Sequence, residues 1–127
     1  MSCPCSCSKP LMLVAAILAW AACGSGTTGP TDPPGTVRIT LTTNLRFDPA
    51  DVTIAPGTPV RWVNAASLVH TVTPDDPNQP GVWPRATTSA SGSVLLYTFP
   101  QSSAGQTYAY FCEPHLADGM TGIIRVQ

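Results

Sequence analysis

Apolar and polar residues alternate along most of the chain after residue 36. In the stretch 37–42 the apolar residues stand at odd positions and Arg or Thr at even ones. Because successive side chains of a strand point to opposite faces, this pattern predicts a half-buried β-strand. Short extended stretches recur further on, at 52–54, 60–64, 70–73, 94–99, 107–112 and 120–127. Roughly seven or eight short strands in about 90 residues predict an all-β fold, a Greek-key β-sandwich.

The segments between these strands predict turns and loops. The segments 74–81 and 85–93 are rich in Pro, Gly, Ser and Thr and show no apolar period, which argues against regular core elements there. The 14 prolines and 10 glycines of the chain fit this division into short strands and turns. We expect one domain over residues 37–127, without a helix of consequence.

Residues 1–22 have a different character. A start rich in Ser, Cys and Pro ends at Lys9 and leads into an apolar run over 11–22. That run is shorter than the roughly 20 residues that a membrane-spanning helix needs. An apolar run that ends in small residues is typical of a secretory signal peptide. We therefore predict that residues 1–22 direct export and are removed, together with Cys3, Cys5 and Cys7.

Cys23 directly follows these small residues. The sequence Leu-Ala-Trp-Ala-Ala-Cys-Gly at 18–24 resembles the lipobox of bacterial lipoproteins, although Trp20 replaces the usual aliphatic residue. The resemblance implies that Cys23 is lipidated and begins a flexible tether rich in Gly, Thr and Pro over 23–36. It also implies a membrane-anchored lipoprotein in the periplasm or on the outer cell surface. The alternative is ordinary cleavage near Ala22, with Cys23 as a spare thiol.

The low charge of the chain excludes one class of partner. Charged residues make up 10% of the sequence and the formal net charge is -1. The chain therefore lacks a basic surface of the kind that neutralises nucleic-acid phosphates, and we expect no nucleic-acid partner. The acidic residues Asp75, Asp76, Glu113 and Asp118 are expected on the solvated surface.

Candidate chemistry is concentrated near the C-terminus. Cys112, His115 and Met120 offer a thiolate, an imidazole and a thioether within nine positions, and His70 is the other of the two histidines. A soft thiolate with two imidazoles and a weak thioether suits copper that cycles between two oxidation states. Cys112 closes one predicted strand and Met120 opens the next, so one loop can direct all three side chains to one place. We predict one copper ion bound by these four residues.

Other interpretations of these residues are weaker. Cys112 and His115 could act as nucleophile and base, but the sequence offers no clear orienting group or oxyanion site. Zinc accepts cysteine and histidine, whereas a thioether is a poor zinc ligand. A disulfide is excluded because Cys112 is the only cysteine after residue 36. We expect neither an enzymatic function nor a small-molecule substrate.

The stretch 111–122, Phe-Cys-Glu-Pro-His-Leu-Ala-Asp-Gly-Met-Thr-Gly, resembles the ligand loop of the cupredoxin (blue copper) family, of the plastocyanin and pseudoazurin type. The shared feature is the spacing C-x-x-H-x-x-x-x-M. The segments 47–64 and 69–72 resemble the strands that lead to the first histidine ligand of that family, and 105–112 resembles the strand before the cysteine. The resemblance covers residues 37–127.

This resemblance implies a type 1 copper protein that carries single electrons, and the export predicted from residues 1–22 would place it outside the cytoplasm. His70, Cys112 and His115 would be the strong ligands and Met120 the weak axial one. We expect His115 to present its outer edge within an apolar patch, a monomeric state, and transient contacts with redox partner proteins. Copper storage or delivery through the same ligands is the open alternative.

Overall fold

The computed structural model describes residues 31–127, which form two β-sheets around one core. The predicted signal peptide and Cys23 lie outside the described residues. Two short 3₁₀ segments, Gln101–Ser103 and Glu113–Asp118, interrupt the strands. The nine strands are β1 (Val37–Leu41), β2 (Phe47–Asp48), β3 (Asp51–Ile54), β4 (Pro59–Asn64), β5 (His70–Pro74), β6 (Ala86–Thr88), β7 (Val94–Thr98), β8 (Thr107–Phe111) and β9 (Thr121–Val126).

The strands pair in an order that differs from their order in the chain. One sheet has the order β2-β1-β4-β7 and the other β3-β9-β8-β5-β6. The pairs β1/β4 and β3/β9 are parallel, and the remaining pairs are antiparallel. The all-β sandwich predicted from the alternation is thereby confirmed, with two mixed sheets.

Two of the nine strands fall where the sequence shows no strand pattern. β2 has two residues, and β6 lies in the Ser/Thr-rich segment that was expected to be a loop. β6 is one of the two edge strands of the five-stranded sheet, where it pairs with β5. Because an outer strand of three residues needs few apolar side chains, pairing with its neighbour can form it without a periodic pattern.

Aromatic rings fill the core between the sheets. Trp83 is fully buried and lies with its ring centroid 5.1 Å from that of Trp62 and 5.6 Å from that of Tyr110. Gly122 of β9 passes directly under Tyr110, where an added Cβ would come within 2.3 Å of the ring. The absence of a side chain at residue 122 therefore gives this ring the space it occupies.

The last part of the predicted tether contacts the domain. Asp32 forms an ion pair with Arg61 of β4, and the backbone turns between Pro33 and Thr36. No helix within residues 31–127 has the length and apolar character needed to cross a membrane.

Candidate metal centre

His70 is held at the start of β5 by the loop that precedes it. The side-chain amide of Asn64, at the end of β4, donates hydrogen bonds to the carbonyls of Leu68 and Thr88, and its oxygen accepts one from the N–H of Ala66. These bonds shape the loop 65–69, and the carbonyl of His70 accepts a further bond from the Thr88 hydroxyl. The His70 side chain is fully buried. Asn64 therefore acts on the backbone around His70.

The other predicted residues lie on one loop between β8 and β9. Cys112 immediately follows β8, and its N–H donates to the carbonyl of Met120, 3.0 Å away. The N–H of Met120 donates in turn to the carbonyl of His115, at 3.2 Å. Gly119 ends the intervening 3₁₀ segment with φ of 79°, a conformation that glycine adopts without strain. The loop therefore closes on itself, with Met120 buried at the beginning of the return.

Three of the predicted side chains converge on one point. The Sγ atom of Cys112 lies 3.7 Å from Nδ1 of His70 and 3.3 Å from Nδ1 of His115. The candidate ligand atoms of the three residues all lie within 4.8 Å of one another. Among residues 31–127 they form the one cluster of at least three His, Cys, Asp or Glu side chains able to hold a metal ion.

These distances fit a shared metal ion. Two ligand atoms that each lie about 2.1 Å from one ion and 120° apart are roughly 3.6 Å from each other, close to the two sulfur–nitrogen separations. One thiol and two imidazoles, with the buried thioether of Met120 on the same loop as Cys112 and His115, form a soft donor set, which suits copper. The residues present therefore fit the predicted ion.

The environment of the site favours neutral imidazole and a hydrogen-bonded sulfur. Burial lowers the pKa of His70, and the proximity of His115 lowers it further. A neutral imidazole is the form that binds a metal. The backbone N–H of Thr71 donates to the Sγ of Cys112 at 3.4 Å, so the residue after the first histidine contacts the sulfur directly.

The sequence did not predict the ion pair that Glu113, next to Cys112, forms with Arg85. Glu113 is solvent-exposed, as expected, but its carboxylate receives two hydrogen bonds from Arg85, at 2.6 and 2.5 Å. The hydrogen bond from Arg85 lowers the pKa of Glu113, and the same interaction raises the pKa of Arg85. The two residues are 28 positions apart in the chain, and no local pattern links them.

Exposed apolar side chains flank the two histidines. Leu68 and Val69, which precede His70, are 48% and 50% exposed, and Leu116, which follows His115, is 50% exposed. The rings of His70 and His115 are 4.9 Å apart, and only His115 is partly exposed. We call Leu68, Val69 and Leu116 the apolar rim. Each of the three lies within two positions of His70 or His115 in the chain, and the apolar patch around His115 stays a prediction.

The sandwich and its Cys-His-His cluster define a protein of the cupredoxin class. A family model described as "Copper binding proteins, plastocyanin/azurin family" matches residues 36–127. The chain belongs to this family of copper-binding proteins. Its membership, together with the convergence of the predicted residues, confirms the prediction of one copper ion as the cofactor.

Curated relatives agree with this assignment. The chain is 40% identical over 93 residues to a plastocyanin of Scenedesmus fuscus, a match that covers 65% of this chain and 88% of the relative. It is 34% identical over 91 residues to a plastocyanin of Nostoc punctiforme, covering 65% of this chain and 66% of the relative.

Solved structures show the same fold. A purple cupredoxin from Nitrosopumilus maritimus superimposes with a TM-score of 0.58 at 22% identity, over 72% of this chain and 99% of the other. Amicyanin from Paracoccus versutus superimposes with a TM-score of 0.57 at 25% identity, over 76% of this chain and 85% of the other. The sandwich is therefore that of the cupredoxins.

Proposed function

We propose that the protein carries single electrons on a type 1 copper centre. In this proposal His70, Cys112 and His115 are the strong ligands and Met120 is the weak axial one. A copper ion bound there supplies the one-electron step, because copper is stable in two oxidation states. The observation that carries the proposal is the convergence of two histidine Nδ1 atoms on a buried cysteine sulfur.

The protein's own residues keep the site rigid and accessible at one edge. His70 is fixed in the core by the loop 65–69, and the hydrogen bonds between Cys112, His115 and Met120 hold the opposite loop. Ligands anchored at the ends of neighbouring strands of one sheet rearrange little when the charge at the site changes, which favours fast electron transfer. The partly exposed ring of His115 offers the short path to a partner.

Copper loading tests the proposal and separates it from copper storage or delivery. Purified protein titrated with Cu(II) should develop an intense visible band from thiolate-to-copper charge transfer. A reductant should bleach the band reversibly, and a moderate chelator should not remove the metal. A colourless or readily stripped complex would contradict electron transfer and favour delivery.

Replacement of the cysteine tests the ligand assignment. Cys112→Ser should abolish the visible band, because the hydroxyl oxygen does not supply the soft thiolate donor. Circular dichroism should show that the sandwich remains folded, since serine is close to cysteine in size. A band that survives the substitution would refute the role of Cys112.

We also propose that the domain works outside the cytoplasm, held to a membrane through lipidated Cys23. The support is the signal-peptide pattern of residues 1–22 and the lipobox-like sequence at 18–24. Mass spectrometry of the mature N-terminus tests this: acylated Cys23 is expected as the first residue. An unmodified N-terminus would contradict the anchor.

Redox proteins are the partners that this function requires, and we propose that they dock transiently, without enzymatic turnover by this chain. The apolar rim consists of three exposed side chains, each within two positions of His70 or His115 in the chain. Small interfaces are typical of short-lived electron-transfer complexes. Their short lifetime lets one carrier serve donor and acceptor in turn.

A further inference from the structure

We propose that Glu113, Arg85 and Thr73 form a positioning brace beside the copper site. Its role is to hold the backbone N–H of Thr71 against the sulfur of Cys112 and thereby to set the reduction potential. The inference rests on the proposed function, since the reduction potential is a property of the copper-loaded protein. We call these three side chains the Glu113 brace.

The outer part of the brace is a two-pronged ion pair. Nε of Arg85 donates to Oε1 of Glu113 at 2.6 Å, and Nη2 donates to Oε2 at 2.5 Å. The remaining terminal nitrogen, Nη1, donates to the hydroxyl of Thr87 on β6, at 3.2 Å. A planar guanidinium that meets both carboxylate oxygens fixes the orientation of the carboxylate as well as its position. Glu113 is thereby tied, through Arg85, to β6 at one edge of the five-stranded sheet.

The inner part ties Glu113 to β5. The hydroxyl of Thr73 lies 3.1 Å from Oε1 of Glu113 and 3.1 Å from the hydroxyl oxygen of Thr71. That oxygen also accepts a hydrogen bond of 2.8 Å from the backbone N–H of Glu113. Glu113 is therefore fixed through both its backbone and its side chain, and both sets of contacts converge on Thr71.

Thr71 connects the brace to the metal site. Its backbone N–H donates to Sγ of Cys112 at 3.4 Å. Within residues 31–127 no other backbone N–H donates to this sulfur. Hydrogen bonds to a cysteine ligand tune the potential of a copper site. A donor reduces the electron density that sulfur gives to oxidised copper, so the bond favours the reduced state. A longer bond from Thr71 should lower the reduction potential.

An exposed ion pair could also act through its charges alone, and such pairs are often weak. The two explanations can be distinguished by substitutions that leave the charge unchanged. Arg85→Lys keeps the positive charge but loses the planar fork. Thr73→Val keeps the shape of the side chain and removes the hydroxyl. A purely electrostatic effect predicts wild-type potentials for both variants.

Potentiometry of the copper-loaded full domain is the first test. The brace predicts that Arg85→Lys and Thr73→Val each lower the equilibrium constant for reduction, by roughly threefold to tenfold, the effect of weakening one hydrogen bond. In the double variant this equilibrium constant should fall by less than the product of the two single effects, because both substitutions act on the same hydrogen bond. Arg125→Lys is the matched control. Arg125 on β9 forms an ion pair with Asp51 on β3, away from the copper loop. This substitution should leave the potential unchanged.

Hydrogen exchange of the copper-free protein is the second test, because it does not depend on copper. The Thr71 amide should exchange slowly in the wild type and in Arg125→Lys, and faster in Arg85→Lys and Thr73→Val. Exchange at the wild-type rate in both brace variants would overturn the inference. So would unchanged potentials in copper-loaded protein. A wild type that binds no copper would refute the proposed function alone, and the exchange rates would still decide on the brace.

Discussion

Gly122 shows how closely one residue can be fitted to the core beside the metal site. It lies on β9 opposite Tyr110 of β8, and its backbone runs beneath the buried aromatic ring. A side chain at this position would meet the ring before it met any other group. The position of Tyr110, two residues before Cys112, therefore depends on the small size of residue 122.

Gly122→Ala should destabilise the domain by about 1–3 kcal/mol, because an added methyl group forces the ring and backbone of β8 apart. The free energy of unfolding, measured with a chemical denaturant on the copper-free protein, checks this. Thr121→Ala is the control, since Thr121 is exposed and such a substitution usually changes stability by less than about 0.5 kcal/mol. Equal stabilities of the two variants would contradict the close approach of Gly122 and Tyr110.

At the scale of elements, the long connection between β5 and β6 is fixed by side chains from other strands. The hydroxyl of Tyr97 on β7 donates to the carbonyl of Gly81, at 3.0 Å, and that of Tyr108 on β8 donates to the carbonyl of Pro80, at 2.5 Å. Trp83 of this connection donates to the carbonyl of Val72. A segment without regular structure thus contributes a buried tryptophan to the core.

Tyr97 and Tyr108 should make the free energy of unfolding vary with pH in the alkaline range. Burial raises the pKa of Tyr97 and of Tyr108, so above pH 10 the unfolded chain releases protons that the folded domain retains. The free energy of unfolding should therefore fall as the pH rises above about 10. Denaturant unfolding at a series of pH values measures this slope. Tyr97→Phe with Tyr108→Phe should reduce it, and an unchanged slope would contradict the role of the two hydroxyls.

The sequence allowed the regular strands and the order of the site residues to be predicted, but not the contents of the connections. Alternation identifies strands such as β1 and β8 because one face is buried. Trp83 and β6 lie in segments without a period, and their places depend on partners elsewhere in the fold. The pairing of Arg85 with Glu113 likewise arises from the sheet order, which brings the end of this connection beside the copper loop.

On the scale of the whole molecule, charge is sparse and partly neutralised by three ion pairs within residues 31–127: Asp32 with Arg61, Arg85 with Glu113, and Asp51 with Arg125. The apolar rim carries no charged side chain, and the formal net charge of the chain is -1. Association through this face should therefore depend on burial of apolar surface more than on steering by charge.

Electron exchange between oxidised and reduced copies of the protein tests whether association depends on apolar burial or on charge, and it needs no other partner protein. The self-exchange rate, followed by NMR line broadening, should change little with ionic strength. Leu116→Asp should slow it by about tenfold, because a charge in the contact face would have to be desolvated. Leu96→Asp, at an exposed leucine of β7, should leave the rate near that of the wild type. Equal effects of both variants would exclude the rim as the contact face.

The ion pair between Asp32 and Arg61 limits how far an anchored domain could travel. It attaches the chain to the sandwich at residue 32. With a lipid on Cys23, only the nine residues 23–31 of the tether would separate the membrane from this attachment point. Nine residues span at most about 32 Å when fully extended. The domain would therefore exchange electrons only with proteins whose donor or acceptor groups stand close to the same membrane surface. Removal of the Asp32 carboxylate would lengthen this working radius.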